Sequence, residues 1–264
     1  MKYKTTFALV LPALLLTSCA QPVSLSKEEA RQRVEEIVSS QEEANNNLRK
    51  FTYTIKEVEK EANEVEETTT TLVVDLDQEY VRKTRVDKDD DDNVVQDQTF
   101  FVKDGFFYET NSINDKTRNK TNSFYKVTSL DEHYYDIKLI FDHFKVDQNY
   151  LFGKEALNIV TSLFEENVVP DLEKYKVTSK GEGHIFIEWT THKTSKFEKE
   201  EHYVSTHRLE VENNLMKSYD IEVSEYELNS KGNKVDEEFV NIYMTLKRTA
   251  EVVYPDLTKF TKTN

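Results

Sequence analysis

The sequence predicts an α+β fold: one antiparallel sheet with an N-terminal helix and short helices covering one face. Three observations carry this. A stretch with helical apolar spacing comes first, and most of the remaining chain alternates with period two. A second helical zone, of short helices, interrupts the alternation between residues 129 and 166. The links between the last strands are too short for anything but antiparallel neighbours. With 264 residues, no repeat and no visible linker, the chain reads as one domain.

The first helix starts at Ser26-Lys27-Glu28-Glu29, a capping-box pattern. Ala30, Val34, Ile37, Val38, Ala44 and Leu48 come after it at helical spacing, which predicts a helix over 27–49 with these residues buried. From Phe51 the period changes. Phe51, Tyr53 and Ile55 alternate with polar residues, and so do Leu72, Val74 and Leu76 after a run of threonines. Between them, Val58, Ala62 and Val65 also fit a helix over 56–67, but a long hairpin turning near Ala62-Asn63 is the preferred reading. A strand over 79–86 and a loop over 87–93 come next. Asp104-Gly105 then marks a two-residue turn, placing Val102 opposite Phe107 and Phe101 opposite Tyr108. Residues 111–123 are polar and read as a loop.

Ser129-Leu130-Asp131-Glu132 resembles another capping box, with Tyr134, Ile137, Ile140, Phe141 and Phe144 beyond it. Ala156, Leu157, Val160, Leu163 and Phe164 mark a further helix ending before Pro170. Strands return over 174–179, 184–192, 197–212, 215–228 and 234–247, with a loose tail from about residue 254. Tyr219, Ile221 and Val223 alternate with Asp220, Glu222 and Ser224, while Val240, Ile242, Met244 and Leu246 alternate with polar neighbours. One face of this hairpin is apolar along its length and must be covered. Segments 27–49 and 130–166 are the helices available to cover it. Ile242 and Met244, near the middle of their strand, are expected to be core.

Residues 1–18 carry Lys2 and Lys4 and then an uncharged, mostly apolar run of about a dozen residues. That is the layout of a signal peptide and too short to span a bilayer, which takes about 20 apolar residues. The run ends in Leu16-Thr17-Ser18-Cys19, which resembles the bacterial lipobox. The resemblance implies that Cys19 receives acyl chains and becomes the first residue after cleavage. Cys19 is also the single cysteine, so an exported chain offers it no disulfide partner. The expected organisation is a signal over 1–18, a lipidated tether over 19–25 and one domain over 26–264. The expected location is the outer face of the bacterial cell membrane, held by acyl chains.

Composition excludes several functions. The net charge is −15, and −17 once Lys2 and Lys4 leave with the signal, which argues against nucleic acid or anionic headgroups as partners. Five glycines make a phosphate-cradling loop improbable. No nucleophile elbow, zinc-protease helix or phosphate-loop motif is present, and we expect neither an enzyme nor a cofactor.

Asp87-x-Asp89-x-Asp91 copies the start of a calcium loop, but Asp92 stands where the turn needs Gly and Gln98 where it needs Glu. His184, Glu188 and His192 share one face of a strand, yet four residues span about 13 Å, too far for one ion. A turn at 194–196 would pair Glu188 with His202 and His192 with Glu198 as ordinary cross-strand neighbours. No metal site is expected. His133 and His143 read as solvated helix-end residues.

The order helix, strands, short helices, strands resembles the LolA/LolB/LppX-type lipoprotein-carrier superfamily over most of residues 26–255. That resemblance implies a curved antiparallel sheet, an open half-barrel, whose concave side is covered by helices. It also implies a lipid or other apolar ligand in the cleft between them, while strand alternation and helical spacing offer Tyr134, Ile137, Phe141, Tyr219, Ile221 and Val223 as its lining. The alternative is an acidic envelope interaction protein with a packed core and no ligand.

Overall fold

A computed structural model of the chain describes residues 21–61, 64–78, 80–88, 94–103, 106–113, 121–126, 140, 172–196, 200–248, 252–253 and 256–262. Among these, thirteen strands form one sheet. In chain order they are β1 (Val23–Ser24), β2 (Lys50–Glu61), β3 (Glu64–Asp75), β4 (Tyr80–Lys88), β5 (Val94–Lys103), β6 (Phe106–Ile113), β7 (Thr121–Lys126), β8 (Leu172–Ser179), β9 (Ile185–Lys196), β10 (Glu200–Glu212), β11 (Leu215–Leu228), β12 (Lys234–Lys247) and β13 (Thr261–Lys262). One helix, α1 (Lys27–Asn46), lies between β1 and β2. The spatial order is β1-β8-β9-β10-β11-β12-β2-β3-β4-β5-β6-β7-β13, an open sheet of two meanders joined where β12 pairs with β2. Every pairing is antiparallel except β13 with β7.

The capping box forms as its spacing requires. The Ser26 amide and hydroxyl donate to the Glu29 carboxylate at 2.9 and 2.6 Å, and the Glu29 amide donates back to Ser26 Oγ at 3.4 Å. The helix buries Ala30, Val34, Ile37 and Gln41 and stops at Asn46 rather than 49. Val38 is 41% exposed, against expectation, because the buried stripe steps 30, 34, 37, 41 and position 38 lies about 40° beyond its Val34 edge.

The β2–β3 hairpin turns where expected, with Glu61 opposite Glu64. Phe101 faces Tyr108 and Val102 faces Phe107 across the β5–β6 hairpin. The predicted loop over 111–123 is wrong at both ends. The backbone ladder runs on through Ile113 and resumes at Thr121, where β7 pairs with β6, since ladder hydrogen bonds do not need apolar side chains. Residues 23–25 join the sheet. Val23 and Ser24 pair with Ser179 and Thr178, and the Leu25 amide donates to the Val177 carbonyl, so the chain is pinned from Val23 onward. The tail is not loose either. Residues 257–259 make a 3-10 turn, Thr261 pairs with Ser123, and the Phe260 ring meets Tyr108 edge-on at 5.4 Å.

The core lies on one face of the sheet. It joins Ala30, Val34 and Ile37 of α1 to inward residues from β2, β3, β4, β8, β9, β10, β11 and β12. Ile140 is helical and fully buried in the same core, as the second helical zone predicts. Its predicted companions Tyr134, Ile137 and Phe141 lie outside the described residues, as do Cys19, His133 and His143. On the other face, Tyr80 and Tyr108 make a smaller cluster with Val73, Phe106, Val252 and Phe260.

Candidate functional site: the core face of the sheet

Strand alternation decides which side chains share the core face, and register decides which of them meet. Leu209 lies opposite both Ile187 and Tyr219, and His207 opposite both Trp189 and Ile221. Tyr219, Ile221 and Val223 in turn face Met244, Ile242 and Val240. The three predicted cleft residues of β11 are therefore together on the core face.

Trp189, His207 and Tyr219 form an aromatic plate on this face. The Trp189 and His207 rings stack in parallel, 4.6 Å apart and 3° from coplanar. His207 Nδ1 and the Tyr219 hydroxyl share a hydrogen bond of 3.0 Å. Burial pushes the His207 pKa down to about 4, because a desolvated imidazolium is costly. At neutral pH His207 is thus an uncharged aromatic surface. No motif singles out His207 in the sequence, yet its place in the alternation Ser205, His207, Leu209, Val211 points it inward.

Burial falls along the strands in one common direction. On β12, Leu246 and Met244 are buried while Ile242 and Val240 are only half-buried. On β2, Phe51 and Tyr53 are buried and Ile55 half-buried; on β3, Val74 and Leu72 are buried and Thr70 and Thr68 are not. On β4 the run is Val81 buried, Lys83 half-buried and Arg85 exposed. On β11, Tyr219 and Ile221 are buried and Val223 is half-buried. Ile242 thus departs from its expected core status. One half of the face is covered, and the other carries partly exposed aliphatic residues that give way to Glu57, Glu59, Thr68, Thr70, Lys83 and Arg85. Such a surface can hold an apolar molecule.

The opposite face is polar and ion-paired. Arg208 donates to Glu188 at 3.0 Å, Asp220 at 2.8 Å and Glu222 at 3.0 Å, and Asn241 donates to Asp220 at 3.0 Å. The predicted pairing of Glu188 with His202 is therefore wrong. β9 extends to Lys196, which faces Glu200, so the partner of Glu188 moves six positions to Arg208. An even shift keeps every side chain on its face, which is why the inward set survived. His192 lies opposite Val204 rather than Glu198. His184 accepts from the Lys180 amide at 3.2 Å and meets Glu210 at 3.4 Å. Asp87 accepts from Thr68 and Arg85 at 2.8 and 2.9 Å, so its carboxylate is engaged within the sheet.

A cavity of about 570 Å³ opens at the end of the sheet, between the C-terminal turn of α1 and the β10–β11 turn. Asn213 and Asn214 form that turn with φ of 54° and 61°, the left-handed pair a two-residue hairpin link requires. The cavity is lined by Glu43, Leu48, Lys50, Leu215 and Arg248 among others, and not by Tyr219, Ile221 or Val223. The Arg248 guanidinium donates to the carbonyls of Glu212 and Asn213 at 3.3 and 2.7 Å, bracing the turn.

No family model and no curated protein matches the chain. Among solved structures it is similar to the Mycobacterium tuberculosis lipoprotein LppX, with 12% identity over 85% of this chain and 98% of that one and a TM-score of 0.24. It is also similar to a beta-barrel-like protein of a domain of unknown function from Brucella abortus, with 8% identity, 78% and 99% coverage and a TM-score of 0.21. The Pseudomonas aeruginosa MucA/MucB complex gives 7% identity, 83% and 99% coverage and a TM-score of 0.13. At these scores no residue role passes from them to this chain.

Proposed function

We propose that the chain is a membrane-anchored extracytoplasmic lipoprotein that holds a lipid or other apolar ligand against the core face of its sheet. The observation that carries this is the half-covered face. Ile55, Val223, Val240 and Ile242 are apolar, adjacent on three neighbouring strands and only partly buried. Fully apolar side chains left half-open beside an otherwise dry core are what a ligand seat looks like. The polar band beyond them suits the head of an amphiphile. No catalysis is part of this reading.

Anchoring rests on the signal-like segment and Cys19. Three residues, Ala20, Gln21 and Pro22, stand between Cys19 and the first paired residue, Val23. They reach at most about 14 Å, which brings the β8 edge of the sheet to the bilayer surface. No helix among the described residues is long and apolar enough to cross a membrane. Native mass spectrometry of the protein purified gently from its host's membrane tests the ligand. A bound lipid-sized mass is expected, and a clean apo mass contradicts the reading.

A second reading, an acidic docking protein, is favoured by one specific feature. Glu225 faces Glu238, Glu238 faces Glu61, and Glu61 faces Glu64, with Glu201 opposite Glu227 on the next pair. Like charges placed directly across a ladder cost stability, and a basic partner would relieve them. Salt-sensitive capture of a basic envelope protein by the apo form distinguishes this reading from the first.

A further inference from the structure

On the polar face of the sheet, the shifted β9–β10 register brings two histidines together. His192 Nε2 and His202 Nδ1 lie 3.1 Å apart. Thr194 Oγ1 is 3.4 Å from the same His202 nitrogen. The His202 ring is held in place: it stacks on Tyr226 at 5.1 Å and 9°, and only 9% of its side chain is exposed. The Lys234 ammonium lies 4.0 Å from the Tyr226 ring centre, and the Glu200 carboxylate lies 3.8 Å from His202 Nε2.

Neither tautomer of His202 is satisfied by this arrangement. Its Nε2 is buried and makes no hydrogen bond. If Nδ1 accepts from His192, Nε2 carries a proton that no acceptor reaches. If Nδ1 donates, the bare Nε2 lone pair faces the Glu200 carboxylate. Either way a buried polar atom is left unpaired, at a cost the sheet must carry. A cation between His192 Nε2 and His202 Nδ1 takes the place of the bond the two nitrogens share and, by withdrawing charge from the His202 ring, makes its Nε2–H a stronger donor toward Glu200, 3.8 Å away. Nδ1 then ligates, Nε2 keeps its proton, and Glu200 sits where an outer carboxylate orients a metal-bound imidazole.

We propose that His192 and His202 form a two-imidazole site for a divalent late transition cation such as Cu2+ or Zn2+, with Glu200 as the positioning carboxylate. Metal–nitrogen bonds of about 2.0–2.1 Å across this separation subtend about 100°, between the square and tetrahedral ideals. Imidazole nitrogen selects such ions over Ca2+ and Mg2+, and Cu2+ binds tightest of the series. Among the described residues no third histidine, cysteine or carboxylate completes the group, so water fills the remaining positions.

The test titrates the purified chain with Cu2+ and reads both calorimetry and electron paramagnetic resonance. One site per chain with hyperfine structure from two imidazole nitrogens is expected. His192→Ala, at the less buried position, should weaken binding at least tenfold while circular dichroism and thermal melting remain those of the parent. Glu200→Gln should weaken it about tenfold, the usual cost of losing an orienting carboxylate. Undiminished binding by His192→Ala, or no saturable binding by the parent, overturns the proposal. Both outcomes are independent of whether the core face holds a ligand.

Discussion

Met244 and Ile242 are two positions apart on one face of β12, and truncating each to alanine removes three side-chain heavy atoms. Chemistry is nearly matched, so any difference in cost reports cover. Met244 is completely buried between Tyr219 and Ile55, and Met244→Ala opens a closed void. A cost of about 3 kcal/mol is expected, inside the range for buried Met or Leu truncations. Ile242 lies between Ile221 and Glu57 and is only half-buried. Ile242→Ala forfeits only part of the transfer term and leaves no sealed void, so about 1–1.5 kcal/mol is expected. Urea unfolding monitored by circular dichroism measures both, with an unchanged m value as the check that the two variants unfold from comparable native states. Equal losses of about 3 kcal/mol would mean that the helices cover the whole face. Partial burial would then be no sign of a ligand seat.

The anchor, the aromatic plate and the polar face each carry an expectation of their own. Cys19→Ala should move the protein from membranes to the soluble fraction; retention on membranes after a high-salt wash, which strips charge-held proteins, would refute acylation. The folded-state pKa of His207, about 4, lies below the ordinary 6.5, so its contribution is full above pH 6.5 and is lost as pH falls toward 4. At about 1.4 kcal/mol per pH unit the ceiling is about 3 kcal/mol. His207→Gln should flatten the stability profile in that window, and parallel profiles would contradict the burial argument. Arg208→Leu strands Glu188, Asp220 and Glu222 together on a partly solvated face and should cost about 1–2 kcal/mol. That deficit should shrink in 1 M salt, where the Debye length is about 3 Å; a salt-independent deficit would assign it to packing instead.

Wherever side-chain period and turn chemistry agree, the sequence could be read to the residue. Leu215–Leu228 and Lys234–Lys247 have the bounds their alternation predicts, and Asp104-Gly105 fixes the pairs Phe101–Tyr108 and Val102–Phe107. Where backbone pairing outruns the apolar pattern, reading failed. Thr121–Lys126 pairs with β6 in register, and no spacing signal marks it. The β9–β10 turn carries no Gly or Asn-Gly to pin it, so its register slipped by six, and with it the meeting of His192 and His202. Inward and outward faces were immune because the slip is even. His207 was legible from its position but not its chemistry, since a histidine at an inward site gains meaning only from the Trp189 ring lying parallel to it.

The chain contains one tryptophan, Trp189, and it lies on the core face in contact with His207 and within 6.1 Å of Tyr219. Trp189 is two strands, about 10 Å, from β11, where Ile221 and Val223 border the proposed seat, so its fluorescence reports on an apolar chain lying along the core face toward β11. Titration with a bromine-labelled fatty acid, a short-range quencher carried on an apolar chain, measures occupancy of that face directly. A ligand-holding face predicts saturable quenching at one site that an unlabelled fatty acid reverses and that Ile242→Ala weakens. Unquenched Trp189 emission across the titration, from protein shown to be folded, would contradict the ligand-holding role.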